Sequence, residues 1–277
     1  MPTALDQIVA RTHAITAERK EHANMRALEA AAERHKPRGL RAKLLEVSRG
    51  QPAIIAELKK ASPSKGVIRK DFDVPDLARQ LQHNGASALS VLTDEEHFHG
   101  SLDNLRIASS VVSIPCLRKD FIVDEFQVLE ARANCADAIL LIVAALDDHE
   151  LRELHSAARR MALDVLCEVH DKGELDRALD HGFDMIGVNN RDLRTLNVSI
   201  ETAFRLAEKI PDPVVRVAES GINSGLQMRD LCSVGYHAFL IGESLMKEPH
   251  PGLALTKLLS EARSSKETAA TLPKRPA

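Results

Sequence analysis

Charged side chains end several of the apolar segments in this sequence, where acid–base chemistry could collect. They are Glu57, Lys59, Lys119, Glu168 and Glu219, and they lie far apart along the chain. Carboxylates and ammonium groups that share a low-dielectric pocket shift one another's pKa values and can serve as proton donors and acceptors. Each charge alone is most simply a solvated strand end. The hypothesis of a site therefore depends on a fold that brings all five together.

Short apolar segments alternate with segments of helical pattern from residue 52 onward. The predicted strands are 52–58, 88–92, 115–119, 137–143, 164–169, 184–189, 214–219 and 238–242. The predicted helices are 75–84, 102–110, 124–134, 147–161, 172–181, 200–209, 224–234 and 253–263. This alternation indicates an α/β fold with parallel strands and right-handed crossovers.

Two architectures fit this alternation, an open doubly wound sheet and a closed (β/α)8 barrel, also called a TIM barrel. The strands are almost continuously apolar, as expected when both faces of a sheet are covered. Eight repeats and the length of the chain favour the barrel. No GxGxxG motif follows the first predicted strand, which weakens a dinucleotide-binding interpretation.

In such barrels the active site lies at the carboxyl ends of the strands. Because side chains alternate along a strand, Glu57 and Lys59 point into the barrel if Ala53 does. The same alternation places the other three charges at the inner mouth. The sixth predicted strand adds Asn189 and Arg191 at its end. The barrel hypothesis thus predicts one cup that holds carboxylates and ammonium groups together.

Two glycine-containing turns follow the seventh and eighth predicted strands. They carry Ser220 and Gly221 in one case and Gly242 and Glu243 in the other. Barrels often bind phosphate between these two loops through backbone N–H groups, and glycine lets the backbone approach an anion closely. Two ordinary turns would look the same. The polar loop 61–66 after the first strand could close over a substrate or be a flexible connector.

The remaining segments lie outside the repeat. Residues 1–50 are expected to form an N-terminal helical extension packed on one end of the barrel, either as a solvated addition or as a lid. Residues 51–263 would be the barrel, and 264–277 a disordered tail.

The composition narrows the class of protein. The net charge is −3, tryptophan is absent and there is one tyrosine, so no nucleic-acid partner is expected. The apolar runs are too short to cross a membrane and the first twenty residues do not resemble a signal peptide, which predicts a cytoplasmic protein. Of the scattered histidines only His97 and His99 are closely spaced, on a predicted loop, so no metal site is expected. A monomer is expected.

Seven motifs, in this order, resemble those of the indole-3-glycerol-phosphate synthase family, over about residues 5–262. They are IIAELKKASPSKG (54–66), LTDEEHFHGS (92–101), LRKDFIVDEFQ (117–127), CEVHD (167–171), IGVNNRDL (186–193), AESGI (218–222) and FLIGESLM (239–246). The chain is similar to the monofunctional form, because no isomerase domain follows.

The resemblance implies an enzyme of tryptophan biosynthesis, a carboxy-lyase that uses no cofactor. Its small phosphorylated substrate would be 1-(2-carboxyphenylamino)-1-deoxyribulose 5-phosphate, which closes a ring with loss of CO2 and then of water. By match to the motifs, Lys119 would be the general acid that protonates the substrate carbonyl oxygen. Glu57, Lys59 and Glu168 would be the other acid–base and positioning residues, and which of them drives dehydration is left open.

The resemblance also assigns the binding residues. Asn189 and Glu219 would orient the substrate hydroxyl and the catalytic groups, and Arg191 with Lys59 would meet the anthranilate carboxylate. The phosphate pocket would contain Ser62, Gly221, Gly242 and Glu243, to which the loop argument adds Ser220. The apolar wall would contain Phe98, Leu140 and Leu193. The pKa of Lys119 is open, because neighbouring cations lower it and Glu168 raises it.

Two other functions compete with this interpretation. Another phosphate-binding barrel, such as a phosphoribosyl isomerase, would centre its chemistry on a different pair, commonly Cys or Asp on the first and fifth strands. The first strand here ends in Glu57 and Lys59. A barrel without activity that serves as a scaffold or a ligand-binding regulator would predict a degraded Glu/Lys cluster, and the cluster is intact.

Overall fold

Eight parallel strands form a closed barrel in the computed structural model, which describes residues 3–192, 195 and 197–263. Each strand pairs with the next along the chain, and the eighth closes on the first, with Ala53 opposite Ala238. The barrel strands are Ala53–Leu58, Ala88–Leu92, Cys116–Lys119, Ala138–Ile142, Asp164–Val169, Met185–Asn189, Val215–Glu219 and Ala238–Ile241. The predicted (β/α)8 architecture is confirmed.

A helix follows each strand and covers the outside of the barrel. These helices are Val74–His83, Leu102–Val111, Glu125–Ala133, Asp148–Arg160, Lys172–Asp180, Glu201–Ala207, Gly225–Ser233 and Pro251–Arg263. Each begins and ends within two residues of its predicted bounds. Side chains of Asp124, Asp171 and Ser224 accept backbone hydrogen bonds at helix starts, which satisfies otherwise unpaired N–H groups.

The barrel interior is filled by side chains that alternate along the strands. Ala53 and Ile55 belong to one buried inner cluster, whereas Ile54 and Ala56 belong to the outer core between strands and helices. This confirms the predicted direction of the first strand. Glu57 continues the inward series and therefore points into the barrel mouth.

Three further helices precede the barrel, Ala4–His22, Met25–Arg34 and Leu40–Ser48. Leu40 and Leu44 of the third are fully buried in the inner cluster and contribute to the core at the amino ends of the strands. Nearby, the buried carboxylate of Asp137 accepts hydrogen bonds from the backbone and the guanidinium of Arg38. The extension is thus tied to the end of the barrel opposite to the carboxyl ends of the strands.

The first helix also contacts helical segments that follow the second and third barrel strands. Arg11 pairs with Glu96 and Arg19 pairs with Glu130, which lies on the helix after the third strand. The boundary at residue 50 stays a prediction, and the predicted tail 264–277 lies outside the described residues. In the described part of the chain, no helix combines the length and apolar character needed to span a membrane.

Several short elements were not predicted. Ala61–Ser62 and Gly66–Val67 pair as a small antiparallel hairpin in the loop after the first strand. Short helices occupy Glu95–Phe98 and Glu243–Met246, and a 3-10 turn occupies Val143–Ala145. The prediction that His97 lies on a loop is therefore wrong, because His97 lies in the short helix Glu95–Phe98. The side chain of Asp94 accepts the backbone N–H of His97 and starts a helical turn there.

Candidate active site

A cavity of about 1310 Å³ opens at the carboxyl ends of the barrel strands. Its walls contain most of the residues that the sequence singled out, although these come from all eight strands or their following loops. They are Glu57, Lys59, Phe98, Lys119, Leu140, Glu168, Asn189, Arg191, Glu219, Ser220, Gly221, Gly242 and Glu243. The fold thus brings together charges that are up to 186 residues apart, from Glu57 to Glu243.

Lys119 lies at the centre of the charged cluster. Its ammonium donates a hydrogen bond of 3.0 Å to Oε2 of Glu168, and it lies 3.5 Å from Oε2 of Glu219. The Glu168 and Glu219 side chains are almost fully buried, and that of Lys119 is 15% exposed. The Lys119 ammonium therefore faces two carboxylates at the edge of the open cavity.

The charges in this cluster shift the pKa values of Lys119 and Glu168 in opposite directions. Burial alone would lower the pKa of Lys119, but the attraction of Glu168, Glu219 and Glu57 outweighs it and raises that pKa above the usual range of lysine. Burial likewise opposes ionisation of Glu168, yet Lys119 and His170 lower its pKa below the usual range of a carboxyl. The two ion pairs therefore favour a charged Lys119, a point that the sequence left open.

Glu219 differs from Glu168 although both lie beside the same ammonium. Burial, with repulsion from Glu168 and Glu57, raises the pKa of Glu219 to about 8 against the opposing pull of Lys119. Its Oε1 is buried and has no hydrogen-bond partner among the described residues. At neutral pH the cluster therefore offers one ionised and one protonated carboxyl beside Lys119.

A second ion pair lines the same cavity. Nζ of Lys59 lies 2.6 Å from Oε1 of Glu57, and Ser90 donates a hydrogen bond of 3.4 Å to the other carboxylate oxygen. A β-carbon on Gly242 would lie 2.4 Å from Oε1 of Glu57. Gly242, predicted for phosphate binding, therefore also makes room for the Glu57 carboxylate.

Asn189 links the charged cluster to the next loop. Its side-chain amide donates a hydrogen bond of 3.0 Å to Oε1 of Glu168, and its Oδ1 accepts the backbone N–H of Arg191 at 3.0 Å. The guanidinium of Arg191 lies 3.8 Å from Oε2 of Glu243. Asn189 thereby holds Glu168 in place and positions the start of the loop that carries a cation into the cavity.

The loops after the seventh and eighth strands form the other wall. Ser220 and Gly221 both have left-handed backbone conformations, with φ of 63° and 76°. The side chain of Asn190 donates a hydrogen bond of 3.1 Å to the carbonyl of Ser220 and holds this turn. Ser244, Lys65 and Lys247 also line this part of the cavity, and Lys247 pairs with Glu243. The arrangement offers polar hydrogens and cations to an anionic group.

Apolar side chains complete the cavity. Phe98 and Leu140 are joined by Phe121 and Ile142, which the sequence interpretation did not identify. Leu193 lies outside the described residues. These side chains give a planar apolar group a surface to pack on within the same cavity as the charged cluster.

Ser62 does not join the cavity walls, in contrast to its predicted place in a phosphate pocket. It lies in the hairpin after the first strand, and its Oγ is buried without a hydrogen-bond partner among the described residues. The hairpin turns this side chain inward, whereas Lys65 at the tip reaches the cavity. The sequence could not give the direction of Ser62, because the hairpin itself was not predicted.

Two functional contacts were missed for a clear reason. Gly187 packs against the Glu219 carboxylate. The one sequence signal for this contact was a glycine inside an otherwise apolar strand, which often marks a close approach of another group. His170 contacts Glu168 and Glu174. The CEVHD motif (167–171) contains His170, but the sequence interpretation treated it only as one of the scattered histidines that do not form a metal site.

Comparison with known proteins covers nearly the whole chain. A family model described as indole-3-glycerol phosphate synthase matches residues 5–258. A relative of that name from Koribacter versatilis (strain Ellin345) is 55% identical over 259 residues, which are 94% of this chain and 100% of the relative. Another from Leptothrix cholodnii (strain ATCC 51168 / LMG 8142 / SP-6) is 44% identical over 262 residues, again 94% of this chain and 100% of the relative.

Solved structures of low identity share the fold. The crystal structure of KGPDC from Streptococcus mutans superposes with a TM-score of 0.59 at 10% identity, over 76% of this chain and 97% of that one. Thiamine phosphate pyrophosphorylase from Pyrococcus furiosus gives a TM-score of 0.57 at 15% identity, over 76% and 95%. These two support the barrel only. The family match and the high identity of full-length relatives show that the chain belongs to the indole-3-glycerol phosphate synthase family.

Proposed function

We propose that the protein converts 1-(2-carboxyphenylamino)-1-deoxyribulose 5-phosphate to indole-3-glycerol phosphate, CO2 and water, as a carboxy-lyase of class EC 4.1.1.48. The family supports this reaction. The observation that carries the proposal is the position of Lys119, whose ammonium lies 3.0 Å from Glu168 and 3.5 Å from Glu219 at the mouth of the barrel. It is a proton donor held beside two groups that can receive or relay a proton.

Ring closure is the first step. The aromatic carbon that bears the carboxylate attacks the ketone carbon, the C=O π bond breaks, and its oxygen takes a proton from Lys119. A carbon–carbon bond forms, and the bond to the carboxylate then breaks to release CO2 and restore the aromatic ring. A placed ammonium stabilises the charge that develops on the ketone oxygen.

Dehydration is the second step. The new hydroxyl leaves as water with an added proton, and a proton leaves the ring-closed intermediate to form the indole double bond. The cavity supplies two candidate donor–acceptor sets for this exchange, the Lys59–Glu57 pair and Glu168 with Lys119. Before this step Lys119 regains a proton from Glu219, and one solvent proton per turnover restores Glu219. Glu168 is the favoured acceptor because it is the carboxylate held ionised beside Lys119.

The rest of the cavity holds the substrate. Phe98 and Leu140 would pack on its aromatic ring, and Arg191 with Lys59 would meet its carboxylate. The phosphate would lie against Gly221, Ser244 and Lys247. Binding energy from this remote group holds the flexible sugar chain in a folded pose, which lowers the entropic cost of ring closure.

The direct test supplies the purified protein with the carboxyphenylamino substrate labelled with ¹³C in its carboxylate. We expect the indole absorbance to rise with one labelled CO2 released per indole formed. Release of CO2 without indole, or no conversion, would refute the proposed reaction. A substrate analogue without the phosphate should react far more slowly, because it lacks the remote handle.

We also propose that residues 1–50 form an extension of a barrel at 51–263, and that the chain works as a cytoplasmic monomer. All eight strands of the closed barrel contribute residues to the cavity, which supports a site that is complete within one chain. Sedimentation equilibrium should then give a mass near 30.4 kDa. A stable dimer under assay conditions would overturn this part.

A further inference from the structure

His170 lies between two carboxylates, just beyond the carboxyl end of the fifth strand. Its Nδ1 is 2.9 Å from Oε2 of Glu174, and its Nε2 is 3.3 Å from Oε1 of Glu168. The side chain is 12% exposed and does not line the cavity. His170 therefore acts on the site through Glu168 and not by touching a substrate.

Glu174 is fixed from two sides. The same Oε2 that faces the ring also accepts the backbone N–H of His170 at 2.8 Å. The backbone N–H of Glu174 in turn donates to the capping side chain of Asp171 at 3.0 Å, in the first turn of Lys172–Asp180. A carboxylate oxygen carries no proton and can only accept hydrogen bonds. Nδ1 of His170 must therefore carry a proton.

Nε2 of His170 faces Glu168 at a distance typical of an ion pair. The angle is outside hydrogen-bonding geometry, and the atom is buried without a hydrogen-bond partner among the described residues. A lone pair on Nε2 would repel the Glu168 oxygen, whereas a proton there would be attracted to it. Burial opposes the charge, but Glu168 and Glu174 outweigh burial and raise the pKa of His170 to about 10. The contacts on both sides of the ring therefore favour an imidazolium.

The two carboxyls beside Lys119 therefore have unequal surroundings. Glu168 has Lys119 at 3.0 Å, the amide of Asn189 at 3.0 Å and His170 at 3.3 Å. Glu219 has Lys119 at 3.5 Å, and its Oε1 has no hydrogen-bond partner in the described part of the chain. An equivalent pair of carboxyls around one ammonium would share a proton, but this pair is biased.

We propose that His170 is the positioning residue that decides which of these two carboxyls is protonated: its charge keeps Glu168 ionised and leaves the proton on Glu219. This deepens the proposed function, on which its catalytic meaning rests. The substrate would meet a proton acceptor at Glu168 and a proton donor at Glu219, with Lys119 in contact with both.

The charged groups around His170 set the sign of the pH effect. They are Glu168 on its own strand and Glu174 on the following helix, with Lys119 and Glu219 beyond Glu168. Without the imidazolium, both Glu168 and Glu219 lose the attraction of a nearby cation, and Glu168 loses more because it is closer to His170. The proton affinity of Glu168 should rise more, and the bias between the two carboxyls should shrink.

The test that needs no turnover is ¹³C NMR of the ligand-free protein labelled at the glutamate side-chain carboxyl carbon. Glu168→Gln and Glu219→Gln assign the two resonances. In the native protein, we expect Glu168 to stay ionised down to acid pH and Glu219 to be protonated at pH 7. In His170→Gln, we expect Glu168 to begin to take up protons at higher pH, whereas His83→Gln, which removes an exposed histidine, changes neither titration.

Kinetics give the second readout. The acid limb of kcat/KM should move up by about one pH unit in His170→Gln, which corresponds to about a tenfold loss at low pH and little loss on the plateau. Glu174→Gln removes an anion but leaves the ring protonated at acid pH, so the same limb should stay in place or move slightly to lower pH. His170→Asn removes the same charge with a smaller side chain and serves if His170→Gln does not fold.

Unchanged titration of Glu168 when the His170 imidazole is replaced, or a Glu219 that is ionised at pH 7 in the native protein, would overturn the proposal. A native protein that fails to convert the substrate would refute the proposed function instead. The NMR titration would still decide whether His170 sets the protonation of the pair, so the two failures are distinguishable.

Discussion

Gly187 and Glu219 lie on neighbouring strands and approach so closely that a β-carbon on residue 187 would lie 2.1 Å from Oε1 of Glu219. The obstruction comes from the carboxyl end of a buried side chain, which has little room to move because it packs beside Lys119 and Glu168. The position of Glu219 therefore depends on the absence of a side chain one strand away.

The substitution Gly187→Ala should displace the Glu219 carboxyl and lower kcat/KM by about tenfold or more, because a shift near 1 Å at a catalytic group has effects of this size. Gly50→Ala is the matched control, since a β-carbon there meets nothing within 4 Å. Kinetics and urea unfolding of Gly187→Ala, Glu219→Ala and the double variant test whether the clash with the Glu219 carboxyl causes the loss. Equal destabilisation by Gly187→Ala with and without the Glu219 side chain would contradict it.

The stability of the protein should depend on pH through Glu219. Its pKa is about 8 in the folded protein against 4.5 for an ordinary glutamate, so between these values the folded state binds a proton that the unfolded chain has lost. The stabilisation is complete below pH 4.5 and is lost as pH rises toward 8, by roughly 1 kcal/mol per pH unit. Glu219→Gln should gain stability relative to the native protein across this window.

Urea unfolding at pH 5, 6.5 and 8 measures this difference. His170 and Glu168 titrate in both proteins, so most of their contribution to the pH dependence cancels in the comparison. If the free energy of unfolding differs between the native protein and Glu219→Gln by the same amount from pH 5 to 8, then Glu219 does not hold a proton in the folded state.

Glu243 should weaken phosphate binding. Its carboxylate accepts a hydrogen bond from Lys247, lies 3.8 Å from Arg191 and lines the wall that we assign to phosphate. Burial would raise the pKa of Glu243, but Lys247 outweighs it and lowers that pKa, so an anion competes for these cations. Glu243→Gln should lower KM and the inhibition constant of inorganic phosphate about two- to fivefold. Glu208→Gln, an exposed site, should change neither constant.

Asp137 should affect stability without affecting chemistry. It is fully buried at the start of the fourth strand, away from the cavity, and pairs with Arg38 and His35 of the N-terminal segment. Asp137→Ala should lower the free energy of unfolding by about 3–5 kcal/mol, because it leaves a half-buried Arg38 without its partner. The kcat of the folded fraction should stay within a factor of about two of the native value. A large kcat defect would show that this end of the barrel communicates with the site.

The sequence predicted the barrel because apolar strands and amphipathic helices repeat with clear period and cap residues such as Asp124 and Ser224 stand at helix starts. Strand alternation then placed Glu57 and Glu168 at one mouth. The hairpin that turns Ser62 inward could not be predicted, because two-residue strands carry no periodic signal. The protonation of Lys119 also needed distances, since burial and opposite charges act on its pKa in opposite directions.

The central claim is that Lys119 donates the proton that allows the ring to close. The most direct measurement is single-turnover formation of indole from the carboxyphenylamino substrate by Lys119→Met, with the native fold checked by circular dichroism and substrate binding checked separately. We expect substrate to bind within about tenfold of the native affinity and the rate of indole formation to fall by about 10³-fold or more. A folded Lys119→Met protein that forms indole at a rate near that of the native protein would contradict the account.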